Sequence, residues 1–178
     1  MAIKKQPSVY GVVELNRLAA VRTGQINAQY ELDATDFAAT PAENGMLLFV
    51  DHLGKKIKKA TGTGVRVGLH ASVEKDYEGK GRKYFSVKPG EFLPRIYDLN
   101  VGDIFETNTF QYDDTVYADF AAIAAAIKTG KVFGVAATNG YIDVKSSSTS
   151  DAVIELEAVE DVVLPNGEQG IKWVVTKA

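Results

Sequence analysis

Metal ligation and acid–base catalysis near neutral pH rest most often on histidine, and this chain has two, His52 and His70. They do not form an H-x-x-x-H arrangement. His52 sits in the turn-like run Asp51-His52-Leu53-Gly54, and His70 falls on the polar face of an alternating strand, so both read as surface residues rather than ligands. The chain has no cysteine, which excludes thiol chemistry, zinc fingers and iron–sulfur ligation. No serine occupies a G-x-S-x-G elbow. Gly62, Gly64 and Gly68 approach a dinucleotide fingerprint, but the third glycine stands one place late. The run also continues into a period-2 strand where a helix N-terminus would have to hold the pyrophosphate. Gly79-Lys80-Gly81-Arg82-Lys83 lacks the spacing and the hydroxyl of a phosphate loop. Asp113-Asp114 and Glu160-Asp161 are adjacent carboxylates, which rarely face one substrate together and read as capping or turn residues. The expectation is a non-enzymatic protein with no metal and no cofactor.

Basic residues offer a different chemistry. Lys55, Lys56, Lys58, Lys59, Lys80, Arg82 and Lys83 are spaced to track phosphates, with Tyr77, Tyr84 or Phe85 to stack on bases. Residues 1–90 carry 14 Lys/Arg against 9 Asp/Glu, a net of +5, and residues 91–178 carry 6 against 14, a net of −8. A single-stranded nucleic-acid-binding β-barrel is therefore one reading. Overall acidity, with a net charge of −3 and a pI near 5.4, weighs against it. The same lysines also serve as gatekeepers on strand edges, and the asymmetry suits complementary contacts between neighbouring copies or with a partner.

Strands must position most of these residues. Val65, Val67, Leu69, Ala71 and Val73 alternate with Arg66, Gly68, His70 and Ser72, the period of a half-buried strand. Residues 26–32 repeat the pattern. Further strands are expected at 9–15, 46–50, 83–87, 103–110, 132–137, 141–145, 152–159 and 171–176. Asn139-Gly140 predicts a type I′ hairpin turn, and Pro165-Asn166-Gly167 marks a second turn. One helix is predicted over 116–129, capped by Asp114 or Thr115 and stopped by Gly130. Tyr117, Phe120, Ile123, Ala124 and Ile127 form its apolar stripe. Residues 1–8 and the serine-rich 146–150 read as mobile, and 74–83 as a long hairpin tip. The fold class expected is mainly β, an antiparallel barrel or sandwich with one packed helix. Residues 1–8 would form a flexible arm on a single domain over 9–178, with a subdomain break near 89–94.

At 178 residues, 46% of them hydrophobic, the chain can bury a self-sufficient core. Its longest apolar runs, 46–50 and 120–127, are far shorter than a membrane helix requires, and the N-terminus has no apolar stretch behind Lys4 and Lys5 to act as a secretory signal. The stretch 92–109, Phe-Leu-Pro-Arg-Ile-Tyr-Asp-Leu-Asn-Val-Gly-Asp-Ile-Phe-Glu-Thr-Asn-Thr, resembles segments of small virion proteins of tailed bacteriophages. The ending, residues 162–167 followed by 171–175, is similar to the closing hairpin of such proteins, and the opening at 19–32, with its small polar residues and Thr23-Gly24-Gln25, also resembles them. The resemblance implies a capsid decoration (cement) protein on the outer surface of the head, made in the host cytoplasm. It would bridge major capsid protein subunits and associate with further copies on the lattice, with no membrane partner. Another head or tail accessory role falls under the same resemblance. The candidate partner contacts are Ile3, Lys4 and Lys5 of the arm, which would latch onto an acidic neighbour, with Lys55, Lys56, Lys58, Lys59, Lys80, Arg82 and Lys83.

Overall fold

The computed structural model describes residues 2–13, 26–59, 67–72, 82–130 and 132–178. Lys80, Tyr77, residues 62–66 and residues 19–25 lie outside them. The chain is mainly β, with three sheets and one helix among the described residues.

The first sheet contains β2 (Ile26–Asn27), β3 (Glu31–Leu32), β5 (Leu47–Asp51), β6 (Lys56–Lys59), β7 (Val67–His70) and β9 (Ile96–Asp98), in the order β2-β9-β7-β5-β6-β3. A two-stranded ribbon pairs β4 (Ala42–Glu43) with β8 (Ser86–Val87). The larger sheet has seven strands. These are β1 (Ile3–Lys5), β10 (Ile104–Thr107), β11 (Phe110–Asp113), β12 (Phe133–Ala136), β13 (Ile142–Lys145), β14 (Glu155–Val163) and β15 (Gln169–Lys177). They run in the order β1-β11-β13-β12-β14-β15-β10, with β1 and β10 at the ends, so no closed barrel forms and the sandwich alternative holds. Pairing is antiparallel except for β3 with β6 and β11 with β13.

The two sheets meet because β5 is apolar on both faces and β7 on one. Leu47, Val67, Leu69 and Ala71 join Phe105, Phe110, Ile142, Leu156, Ile171 and Trp173 in one core. On the opposite face Leu48, Ile57 and Ile96 pack with Leu32, Phe37, Met46, Val87 and Tyr141 in a second core. The six-stranded sheet is thus a middle layer, and that corrects the reading of His70. Over the described residues 67–72 the alternation is genuine, but its polar face is roofed by residues 42–46, and His70 is fully buried. Gly68 sits on that face because a Cβ would lie 2.5 Å from Ile96 Cγ2.

The helix α1 covers Phe120–Ile127, shorter than 116–129. Asp119, not Asp114 or Thr115, is its cap, accepting from the Ala122 N–H at 2.9 Å. Thr115 is held in the preceding turn by Asp113, whose carboxylate accepts from its N–H at 2.9 Å and its hydroxyl at 2.7 Å. Gly130, at φ 68°, closes the C-terminal turn as expected. The buried stripe is Phe120, Ile123 and Ile127.

Three further expectations change. Gly140 adopts φ 88° but Asn139 does not have positive φ, so the β12–β13 turn is not type I′. Glu160 and Asp161 are not turn residues: β14 runs past 159 to Val163, with an irregularity between Ala158 and Glu160. Residues 3–5 of the supposed flexible arm pair with β11, Ile3 opposite Asp113 and Lys5 opposite Gln111. That edge strand buries little, and polar partners hold the rest of the segment.

Candidate interaction surface

Residues 2–13 run as a strap along β11 and β10, and side chains rather than a ladder fix most of it. The Gln6 N–H reaches the Phe110 carbonyl at 2.9 Å, and Val13 bridges Thr107. Between them the Gly11 N–H donates to Glu43 Oε2 at 2.7 Å and the Val12 N–H to Asn108 Oδ1 at 2.7 Å. The Val12 carbonyl accepts from the Thr107 hydroxyl at 2.6 Å. Glu168 joins from the β14–β15 turn, accepting from Asn108 Nδ2 at 2.5 Å and from the Ser8 hydroxyl. Gly11 is required here, since a Cβ would fall 1.8 Å from Thr109 Oγ1 and 2.6 Å from the Asn44 carbonyl oxygen.

The same cluster continues inward to groups whose acid–base properties are strongly perturbed. Glu43 Oε2 also accepts from the Tyr141 hydroxyl at 2.6 Å. Burial and the neighbouring carboxylate push that phenol far above its ordinary range, so it stays a donor. His70 Nδ1 lies 2.8 Å from the Glu43 carbonyl, which only accepts, so Nδ1 carries the proton and Nε2 accepts from the Ser72 hydroxyl at 2.7 Å. Burial holds His70 down to about 4, with the Glu43 hydrogen bond opposing weakly, so the ring is neutral at pH 7. Ser72 in turn accepts from the Arg95 N–H at 2.9 Å and donates its own N–H to Asn44 Oδ1 at 2.8 Å. Glu43 Oε2, both His70 ring nitrogens, the Ser72 hydroxyl and the Tyr141 hydroxyl are each turned to a neighbour. Chemically it is a clamp, joining the strap, the roof over β7 and the seven-stranded sheet.

The exposed charged residues behave differently. Lys56, Lys58 and Lys59 line β6, and Lys55 stands in the β5–β6 turn at φ 51°. Acidic partners are interleaved with them: Lys58 Nζ lies 2.8 Å from Asp51 and Lys56 Nζ 3.2 Å from Glu31. The backbone N–H of Lys59 donates to Asp36 at 3.0 Å, while its ammonium donates to Thr40 at 2.9 Å and lies 5.0 Å over the Phe37 ring. Burial lowers the Lys59 pKa, with Asp36 opposing and Lys5 adding repulsion. Asp51 is held below the usual carboxylate range first by the Gly54 N–H and then by Lys58. Lys56, Lys58 and Lys59, interleaved with Glu31, Asp33, Asp36 and Asp51, do not make a uniform phosphate track.

Of the remaining candidates, Lys4 donates to the Ala118 carbonyl at 3.2 Å and Lys5 lies 4.0 Å over the Tyr141 ring, leaving Ile3 half-exposed on the edge of β1. Arg82 and Lys83 belong to a 3₁₀ turn, Arg82–Tyr84, where the Lys83 ammonium stands 5.3 Å over the Tyr84 ring. Phe85 packs on Phe92 with ring centroids 5.7 Å apart. Sequence reasoning missed Leu53, which is 98% exposed at the β5–β6 tip; its only signal was an apolar residue in the middle of a polar turn. It also missed the groove where Glu160 and Asp161 meet Ile104, because it placed those acids in a turn. Among the described residues no three His, Asp or Glu side chains are grouped to hold a metal, and no helix is long and apolar enough to cross a membrane. Comparison with protein-family models, with curated proteins and with solved structures gives no match.

Proposed function

We propose that this is a non-enzymatic phage virion structural protein that binds the outer surface of the capsid and stabilises it by bridging major capsid protein subunits. The observation that carries the reading is where the residues resembling virion proteins lie. Residues 92–109 contribute β9 to the six-stranded sheet and β10 to the seven-stranded one, so the resembling segment is the crossing between the two sheets. The resembling ending forms β14–β15, the longest hairpin. The likeness therefore concerns the framework and not a peripheral insertion. The distribution of side chains supports the same reading: the buried polar groups around Glu43 and His70 are held by internal partners, whereas exposed apolar side chains such as Ile3 and Leu53 stand on strands and turns. Such a surface suits a broad macromolecular partner, whose affinity comes from many modest contacts repeated over a lattice.

Co-sedimentation with undecorated heads tests it. Binding should saturate at a fixed ratio to the major capsid protein, and an excess of single-stranded oligonucleotide should not compete. Steep, salt-sensitive oligonucleotide binding with no sedimentation would instead favour the nucleic-acid reading.

A further inference from the structure

The β5–β6 tip is built to hold one apolar side chain rigidly in solvent. Asp51 accepts from the Gly54 N–H at 2.8 Å and pairs with Lys58, which closes the turn. A side chain at Gly54 would meet Asp51 Oδ2 at 2.6 Å. His52 is braced by Tyr30, whose hydroxyl lies 3.3 Å from Nδ1 and whose ring meets the imidazole edge-on at 5.6 Å. Lys55 is the sole non-glycine residue with positive φ among the described residues, a conformation that a Cβ disfavours. The result is Leu53 held outward beside Lys55, for which no partner is found among the described residues. A fixed apolar residue next to a cation loses little freedom on binding.

A complementary surface lies on the acidic half of the same chain. Glu106, Lys172 and Glu160 are directly opposed across β10, β15 and β14, and Lys172 Nζ lies 3.6 Å from each carboxylate. Beside them Ile104, Val162 and Val163 supply apolar lining to an open groove of about 560 Å³, with Glu160 and Asp161 exposed at its rim. This volume is ample for an apolar side chain and its flanks. Val163 is 65% exposed.

We infer that the Leu53–Lys55 tip of one copy seats in the Ile104/Val162/Val163 groove of a second copy, with Lys55 against Glu160 and Asp161. The tip belongs to the half of the chain with net charge +5 and the groove to the half with −8, so the charge asymmetry acquires a structural role. Because the two surfaces differ, the contact is head-to-tail, and repetition closes a ring or extends a row of copies. It involves this chain alone and does not depend on the capsid reading.

Sedimentation velocity of the isolated protein over a concentration series tests it. The parent should associate reversibly by about 1 mM, the range expected of one modest contact. Leu53→Asp and Asp161→Lys, both at exposed positions, should each weaken association by roughly tenfold or more. An equimolar mixture of the two variants should recover a dimer that grows no further, because the intact tip of one fits the intact groove of the other. Zero-length carbodiimide coupling of the parent should join Lys55 to Glu160 or Asp161 between copies. Lys55→Glu provides a second tip variant should Leu53→Asp fail to fold. A parent that stays monomeric to about 1 mM, variants that associate like the parent, or a mixture that stays monomeric would overturn the inference.

Discussion

Two regions of this molecule use the same residue types under opposite conditions. Around Glu43, His70 and Tyr141 the polar groups are buried, their partners are fixed, and removing one strands the others. Along β6, Lys56 and Lys58 face Glu31 and Asp51 in water, where Coulomb attraction is screened and each pair contributes little. The comparison separates holding from meeting: the interior network sets the geometry, and the exposed hairpin presents its outward side chains to a partner.

The largest effect should come from Glu43→Ala, which leaves the buried Gly11 N–H and Tyr141 hydroxyl without an acceptor. At 1–3 kcal/mol for each stranded donor, urea unfolding should show a loss of about 4 kcal/mol. Glu43→Gln, which keeps an acceptor oxygen, should lose markedly less.

Next in size is a pH effect confined to the interior. The unfolded-state histidine titrates near 6.5 and folded His70 near 4. The unfolded chain therefore binds a proton that the folded chain refuses. Stability should be fully present above about pH 6.5 and fall by about 3 kcal/mol as the pH drops toward 4. His70→Gln should flatten the stability profile across that window. Asp51 and Asp33, both held below the usual carboxylate range, first of all by backbone N–H groups, act in the same direction only at still lower pH. Persistence of the full slope in His70→Gln would show that another group carries it.

Gly11→Ala should cost about 2 kcal/mol, because the strap or Thr109 must shift to admit the methyl group. Its effect also sharpens the account of the strap: a wild-type melting temperature would mean that residues 8–13 are not clamped. At the other extreme, Lys56→Met should change stability by about 0.5 kcal/mol or less. A loss comparable to Glu43→Ala would erase the distinction between the two regions.

Much of the framework was legible because it depends on local pattern. The period-2 run through Val67 and Leu69, the stop at Gly130 and the turn at Asn166-Gly167 are all visible one neighbour at a time. What alternation cannot reveal is whether the second face of a strand meets water. The sequence reads His70 as exposed because Gly68 and Ser72, which share its strand face, are small or polar; its burial is imposed by Glu43 and Asn44, more than 25 residues away. The strap was misread for the same reason. Residues 2–8 have no hydrophobic period, and their order comes from Glu168, Asp114 and β11, all distant in sequence. Leu53 and the Glu160–Asp161 groove escaped notice because a surface is assembled from residues that have no common period.

The proposed role is tested most directly by heating undecorated phage heads with and without the protein. Since binding to the intact lattice alone shifts the equilibrium toward it, saturating protein should raise the temperature at which the heads disrupt. Denatured protein should leave that temperature unchanged. If saturating folded protein neither sediments with the heads nor delays their disruption, the capsid-stabilising role is contradicted.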